Sequence, residues 1–138
     1  MADPLQVDVV APEGTIWEGD AVTVVARTTE GDIGILSGHE AFMAALVPGA
    51  AEVVTPAGNR EVIAVEGGFI SVFENHVSLL SDSAVMAQDY SLAQARAELA
   101  QMQPIVDGGE LTDEQTHHYN MLVAQVQAGE KYAALQGH

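Results

Sequence analysis

The sequence predicts a mainly β plus α fold, an N-terminal β-sandwich followed by a C-terminal antiparallel two-helix hairpin. Up to Met86 the apolar residues alternate or cluster in short β-branched runs separated by turn residues, which is the period of strands. After Ala87 they recur at spacings of three and four behind two helix-start signals. At 48% hydrophobic and 17% charged residues, the 138-residue chain is apolar enough to build a core. Residues 1–87 read as the sandwich domain and 88–138 as the hairpin domain.

In order along the chain, Leu5 to Val9 alternates, Ala11-Pro12-Glu13-Gly14 interrupts, and Thr15 to Trp17 resumes the pattern. Ala21 to Thr28 reads as one long strand, closed by the turn Glu30-Gly31-Asp32. Further strands are predicted at 34–36, 51–56, 60–65, 69–73 and 77–80. Pro56-Ala57-Gly58-Asn59 reads as a hairpin turn and Gly67-Gly68 as a tight link or bulge. Many short strands at close spacing imply a sandwich or barrel.

Ser91-Leu92-Ala93-Gln94 opens the first helix as a capping box, and Leu92, Ala95, Leu99 and Met102 make its apolar stripe. Pro104 is expected to stop that helix, because it has no N–H and crowds the preceding turn. Thr112-Asp113-Glu114-Gln115 opens the second, whose stripe is Tyr119, Leu122, Val123 and Val126. Gly129 is expected to loosen its last part, at about 1 kcal/mol relative to Ala. An Ala-rich hairpin that is apolar on one side buries little by itself. It should pack on the sandwich, on its own partner helix or on another protein, and mobility is expected.

Charge excludes several functions. Twenty acids against four Lys and Arg leave −16, so nucleic acid and an anionic membrane surface are poor partners. There is no cysteine, and hence no disulfide, thiolate nucleophile or thiolate metal site. The opening Met1-Ala2-Asp3-Pro4 has no signal-peptide character and no stretch is long enough to cross a membrane, so a soluble cytoplasmic chain is expected.

Chemistry is sparse. His117 and His118 diverge by about 100° on a helix, leaving Asp113 with His117 and Glu114 with His118 as weak two-ligand pairs. The terminal His138 carries no information. Ser37-Gly38-His39-Glu40 gathers nucleophile-like residues without a Gly-x-Ser-x-Gly elbow. Gly31, Gly34 and Gly38 are followed by no Lys-Ser/Thr, so there is no Walker-type phosphate loop. A free-standing ligand-binding sandwich is the alternative reading, although one Trp, three Phe and three Tyr supply little aromatic platform. A small hydrolase or metalloenzyme using His39 or the His117 and His118 pair is the third.

The segment from Gly31 to Glu40 followed by Ala45-Leu46-Val47-Pro48-Gly49 resembles a signature of the epsilon subunits of F-type ATP synthases. Val65-Glu66-Gly67-Gly68-Phe69-Ile70-Ser71-Val72 and 77–84 resemble that family's second signature, and 5–13 its opening. The resemblance spans the whole chain. It implies a non-catalytic rotor subunit of the central stalk that couples rotation of the proton-driven c-ring to ATP synthesis in the catalytic head. It implies as partners the gamma subunit, the c-ring and, through the hairpin, the alpha and beta subunits. It implies a peripheral location at the cytoplasmic face of the bacterial cell membrane, without membrane insertion. By resemblance, Glu30, Gly31 and Asp32 together with His39 would face the c-ring.

The same resemblance implies a hairpin that can extend and block ATP hydrolysis. Family members that bind ATP there carry an Ile/Leu-Asp-x-x-Arg-Ala segment, and this chain has Ser91 and Gln94 at the Asp and Arg positions. No cofactor is therefore expected. Extended family helices are often rich in Lys and Arg, whereas from Gln88 onward only Arg96 and Lys131 oppose seven acids. Any inhibition is expected to be steric or hydrophobic, through Leu99, Met102, Tyr119, Leu122 and Val126. Ser37 and Ala41 stand where the family commonly has Pro, so a less rigid loop is expected.

Overall fold

The computed structural model describes residues 3–136. Ten strands run in the order β1 (Leu5–Ala11), β2 (Gly14–Ala21), β3 (Thr23–Thr28), β4 (Gly31–Leu36), β5 (Phe42–Leu46), β6 (Gly49–Val54), β7 (Arg60–Val65), β8 (Gly68–Phe73), β9 (His76–Leu80) and β10 (Ala84–Met86). A single 3-10 turn, Ala87–Asp89, leads into α1 (Leu92–Asp107) and α2 (Asp113–Gln136). Hydrogen bonding runs β10-β7-β6-β3-β5-β8-β9-β1-β2, with β4 beside β3. β3 and β5 meet only at Thr28 and Leu46, and at that corner the sheet folds over on itself.

The alternation read in the sequence fills the interior. Leu5, Val7 and Val9 from β1 point inward against Ile35, Ala51, Val53, Ile63, Val65, Ile70, Val72, Val77 and Leu79. The stretch read as one strand from Ala21 to Thr28 is broken at Val22, where the chain leaves the β1–β2 side and crosses to pair with β4 and β6. β5 and β10 lie outside the strands that the sequence pattern predicts. β5 is a five-residue strand whose residues Ala44 and Ala45 carry weak strand propensity, and β10 has three residues held by pairing to β7.

Two helix expectations are corrected. α1 continues through Pro104 to Asp107. The missing N–H costs one bond, to the carbonyl of Ala100 on the exposed side, while the Pro104 carbonyl accepts the Gly108 N–H at 3.1 Å. Gly129 is a contact rather than a weak point: it is buried, and a Cβ there would lie 2.8 Å from Cδ1 of Leu92. The glycine lets the two helices approach each other. The second capping box is complete, with Thr112 N–H on Gln115 Oε1 at 2.9 Å and Gln115 N–H on Thr112 Oγ1 at 3.1 Å. In the first only the Ser91 hydroxyl takes part, accepting the Gln94 N–H at 3.1 Å.

Gly67-Gly68 is the tightest point of the sandwich. Gly68 has φ +102, and a Cβ would collide with the Leu80 carbonyl oxygen on β9. Gly68→Ala is expected to cost at least about 3 kcal/mol, through left-handed strain plus displaced backbone, measured as the loss of unfolding free energy in urea.

Candidate interaction sites on the sandwich and the hairpin

Three surfaces carry the side chains of interest. The first is the outer face of β6 and β7, which α2 covers. Val62 and Ala64 point outward from β7 and are buried against Ala124 and Ala128, with Met121, Tyr132, Leu135, Ala50, Val85 and Tyr90 around them. The helix stripe that meets the sheet is thus Met121, Ala124, Ala128 and Leu135. Sequence reasoning missed it because alanine is a weak apolar marker, although Ala124 and Ala128 stand four apart in line with Met121.

Tyr119, Leu122 and Val126 fall on the Gly129 side of α2, the side that meets α1. Of the hairpin candidates, Met102 and Leu122 are buried, whereas Leu99, Tyr119 and Val126 are half-buried.

Polar groups fasten this interface. The Tyr90 hydroxyl donates to the Gln125 carbonyl at 2.6 Å. Burial pushes the Tyr90 phenol up to about 12, an effect that a backbone hydrogen bond from Gly129 partly opposes. Two nearly buried carboxylates, Glu52 and Glu66, lie at the edge of the covered face. Arg60 Nη1 is 2.8 Å from Glu52 Oε1 and Lys131 Nζ is 3.5 Å from Glu52 Oε2. His117 Nδ1 lies 3.0 and 3.2 Å from the two oxygens of Glu66. His117 therefore meets Glu66 across the interface rather than Asp113 on its own helix. Among the described residues no group of three or more His, Asp and Glu side chains is placed to hold a metal ion.

The second surface is at the two ends of β4. Glu30-Gly31-Asp32 forms the β3–β4 turn, where Gly31 has φ +107 and the Thr28 hydroxyl accepts the Glu30 N–H and donates to the Gly31 carbonyl. Asp32 is paired with Arg27 at 3.0 Å. β4 spans five residue steps, roughly 17 Å, between Gly31 and Leu36, and His39 follows its far end, so these residues do not form one cluster. The His39 Nδ1 position bonds the Glu40 carbonyl at 2.7 Å, and the ring meets Phe42 edge-on.

The Ser37–Gly38 loop is not slack. Asn75 accepts the Gly38 N–H at 2.8 Å and donates to Ser37 Oγ at 3.1 Å, a tie that proline at 37 could not make. Asn75 sits with Glu74 in the two-residue β8–β9 turn, both at positive φ, as a type I′ turn demands. Its sequence signal was an Asn where a two-residue turn needs left-handed backbone.

The third surface is open. Across β5, β8, β9 and β1 the register aligns Ala45, Phe69, Leu80 and Val10 in one outward row. Met43 stands in the adjacent row and Phe73 at the end of β8. Met43, Phe69, Phe73 and Leu80 are each more than half exposed.

Residues 4–87 match the family described as "ATP synthase, Delta/Epsilon chain, beta-sandwich domain". The chain is 40% identical over 133 residues to the ATP synthase epsilon chain of Cutibacterium acnes, covering 91% of each. The chain belongs to the epsilon-subunit family of F-type ATP synthases.

To the epsilon chain of Rhodococcus erythropolis it is 46% identical over 98 residues, or 70% of this chain and 80% of the relative. Among solved structures, a chain of the Euglena gracilis mitochondrial ATP synthase OSCP/F1/c-ring assembly superposes with a TM-score of 0.73 at 20% identity. That match covers 97% of this chain and 83% of the other. The likeness at this identity is one of fold, and it extends to the helices.

Tyr90→Phe removes the bond to the Gln125 carbonyl and is expected to destabilise the docked hairpin by about 1 kcal/mol. Because burial favours the neutral phenol, the Tyr90 contribution is fully present below about pH 10 and is lost as pH rises through 12. Hydrogen exchange of α2 amides, compared in parent and Tyr90→Phe chains between pH 8 and 11, checks both.

Proposed function

We propose that the chain is a non-catalytic central-stalk subunit of an F-type ATP synthase. The sandwich binds the gamma subunit and rests on the c-ring, transmitting rotation toward the catalytic head. The observation that carries this reading is the unequal treatment of the two sheets in a chain of this family. The outer face of β6–β7 is covered by the chain's own α2, while the outer face of β5–β8–β9 exposes Met43, Phe69, Phe73 and Leu80. An apolar band of that kind fits a permanent protein partner, and covering each of its large side chains is worth about 1–2 kcal/mol. Family membership favours gamma as that partner. Two solved structures of like fold support the assembly as a whole, one an OSCP/F1/c-ring complex and the other a Tetrahymena thermophila central stalk and c-ring. A subunit in that position acts peripherally at the membrane, and no described helix is long and apolar enough to cross one. Glu30, Gly31, Asp32 and His39 are assigned to the c-ring side as two separate contacts, one at each end of β4.

The hairpin is assigned a regulatory part in ATP hydrolysis. Met102 and Leu122 are buried in its seam, so an inhibitory contact through them requires α1 and α2 to separate. Leu99, Tyr119 and Val126 are more accessible. Nucleotide binding at the start of α1 is assigned as weak or nil, since Ser91 is occupied as the helix cap and Gln94 supplies no guanidinium.

The double variant Phe69→Asp with Leu80→Asp places two charges on the open face without touching the interior. Co-purification with gamma should fall at least tenfold. Wild-type recovery of gamma would sink the assignment of this face, and a wild-type chain that purifies alone would favour the free-standing module. Removing residues 88–138 in the assembled enzyme should leave gamma association intact and raise ATPase activity. Unchanged activity would show that the arm is no inhibitor.

A further inference from the structure

β2 and β10, at the two ends of the hydrogen-bonded path, approach each other. β4 stands off that path, with a full ladder to β3 on one side and no ladder on the other. The direction of its backbone groups follows from its neighbour. The Arg27 carbonyl accepts the Val47 N–H at 3.1 Å and the Thr29 N–H donates to the Ala45 carbonyl at 3.0 Å, so this end of β3 turns those groups toward β5. Backbone groups alternate sides along a strand, which leaves Val24, Ala26 and Thr28 to bond Ile35, Ile33 and Gly31 of β4. Asp32, Gly34 and Leu36 therefore direct their N–H and C=O groups to the free edge. The Leu36 carbonyl accepts the His39 N–H at 3.1 Å, and the others have no recorded partner among the described residues.

Gly34, in the middle of this edge, is not required by the chain's own fold. Its φ is not left-handed, and a Cβ there would meet no atom within 4 Å. Glycine weakens the interior of a strand, and where nothing inside the chain needs it, it marks a place where another backbone comes close. Gly34 lies on the outward face with Asp32 and Leu36, while Ile33 and Ile35 pack on the core. Leu36 is 61% exposed.

We propose that the free edge of β4 is a docking strand, along which the partner on the c-ring side lays an extended segment of its own backbone from Asp32 to Leu36, closest at Gly34. The segment is recognised by its main chain, whose N–H and C=O groups pair with those of Asp32 and Gly34. Leu36 adds an apolar contact for one of its side chains. The only charge on this stretch, Asp32, is paired with Arg27 at 3.0 Å. The docking strand rests on the assignment of Glu30, Gly31, Asp32 and His39 to the c-ring side, and it joins the two separate contacts at the ends of β4 into one continuous edge.

The test compares F1 bound to purified c-ring with F1 alone. Amide exchange at Asp32, Gly34 and Leu36, read residue by residue, should slow at least tenfold when the c-ring is bound, while Ile33 and Ile35 are slow in both states. F1 carrying Gly34→Ala should bind purified c-ring about tenfold more weakly, the loss expected when an added methyl holds one or two backbone hydrogen bonds apart. The same substitution should leave the isolated chain at least as stable in urea, because the Cβ has open space and alanine restricts the unfolded chain more than glycine. The chain has no cysteine, so slower thiol labelling of Glu30→Cys and His39→Cys with c-ring bound reports the end contacts on their own. Slower labelling at both ends with unchanged exchange at Gly34, or c-ring binding unaffected by Gly34→Ala, overturns the docking strand and leaves the c-ring assignment standing. Unchanged labelling at both ends overturns the assignment and the docking strand with it. A loss of stability in the isolated Gly34→Ala chain would return the glycine to a role in the fold and likewise overturn the proposal.

Discussion

The contact on which the rest of this structure depends is the seating of α2 on β6 and β7. It buries both faces of those strands, so that Val62 to Val65 form a continuous apolar run in which alternate residues serve the sandwich interior and the helix interface. The contact is made by small side chains, Ala124 and Ala128 against Val62 and Ala64, which brings the helix close to the sheet. That closeness shields Glu52 and Glu66 from water and makes their partners matter. α1 in turn packs on α2 through Gly129, so the whole hairpin depends on one helix–sheet contact.

The strong negative charge has a structural counterpart in how the scarce cations are used. All four are paired within the chain: Arg27 with Asp32, Arg60 and Lys131 with Glu52, and Arg96 with Glu130. The two cations of the hairpin domain are spent on holding it folded and docked, although the exposed Arg96–Glu130 pair contributes little stability. An electrostatic latch onto an acidic surface would have to break these pairs first. The seven acids against two bases from Gln88 onward therefore understate the case, because neither base is free in the docked form.

The open face of β5, β8 and β9 is the complement of the covered one. Both sheets place apolar side chains outward, but only one has a helix to cover them. The covered face holds the hairpin, and the open face leaves its large apolar side chains exposed. The loops at the two ends of β4 stand apart from both, one organised by Thr28 and Arg27 and the other by Asn75.

Much of this was legible in the sequence. The sandwich, the two helices, both helix starts and the family membership follow from alternation, capping residues and signature segments, all local patterns written within a few residues of where they act. What the sequence left hidden is what joins distant segments. The Glu66–His117 pair spans 51 positions and the Tyr90–Gln125 bond 35, and on an acidic chain a single glutamate gives no sign that it will be buried. Gly129 carries the same lesson: its cost within a helix is a local property, whereas its use as the point where Leu92 packs exists only once two helices are brought together. Local sequence thus determined which elements form, because propensity and periodicity act over one or two turns. Tertiary structure alone decided which faces are covered and which charges are shielded, because burial is set by what packs against a residue.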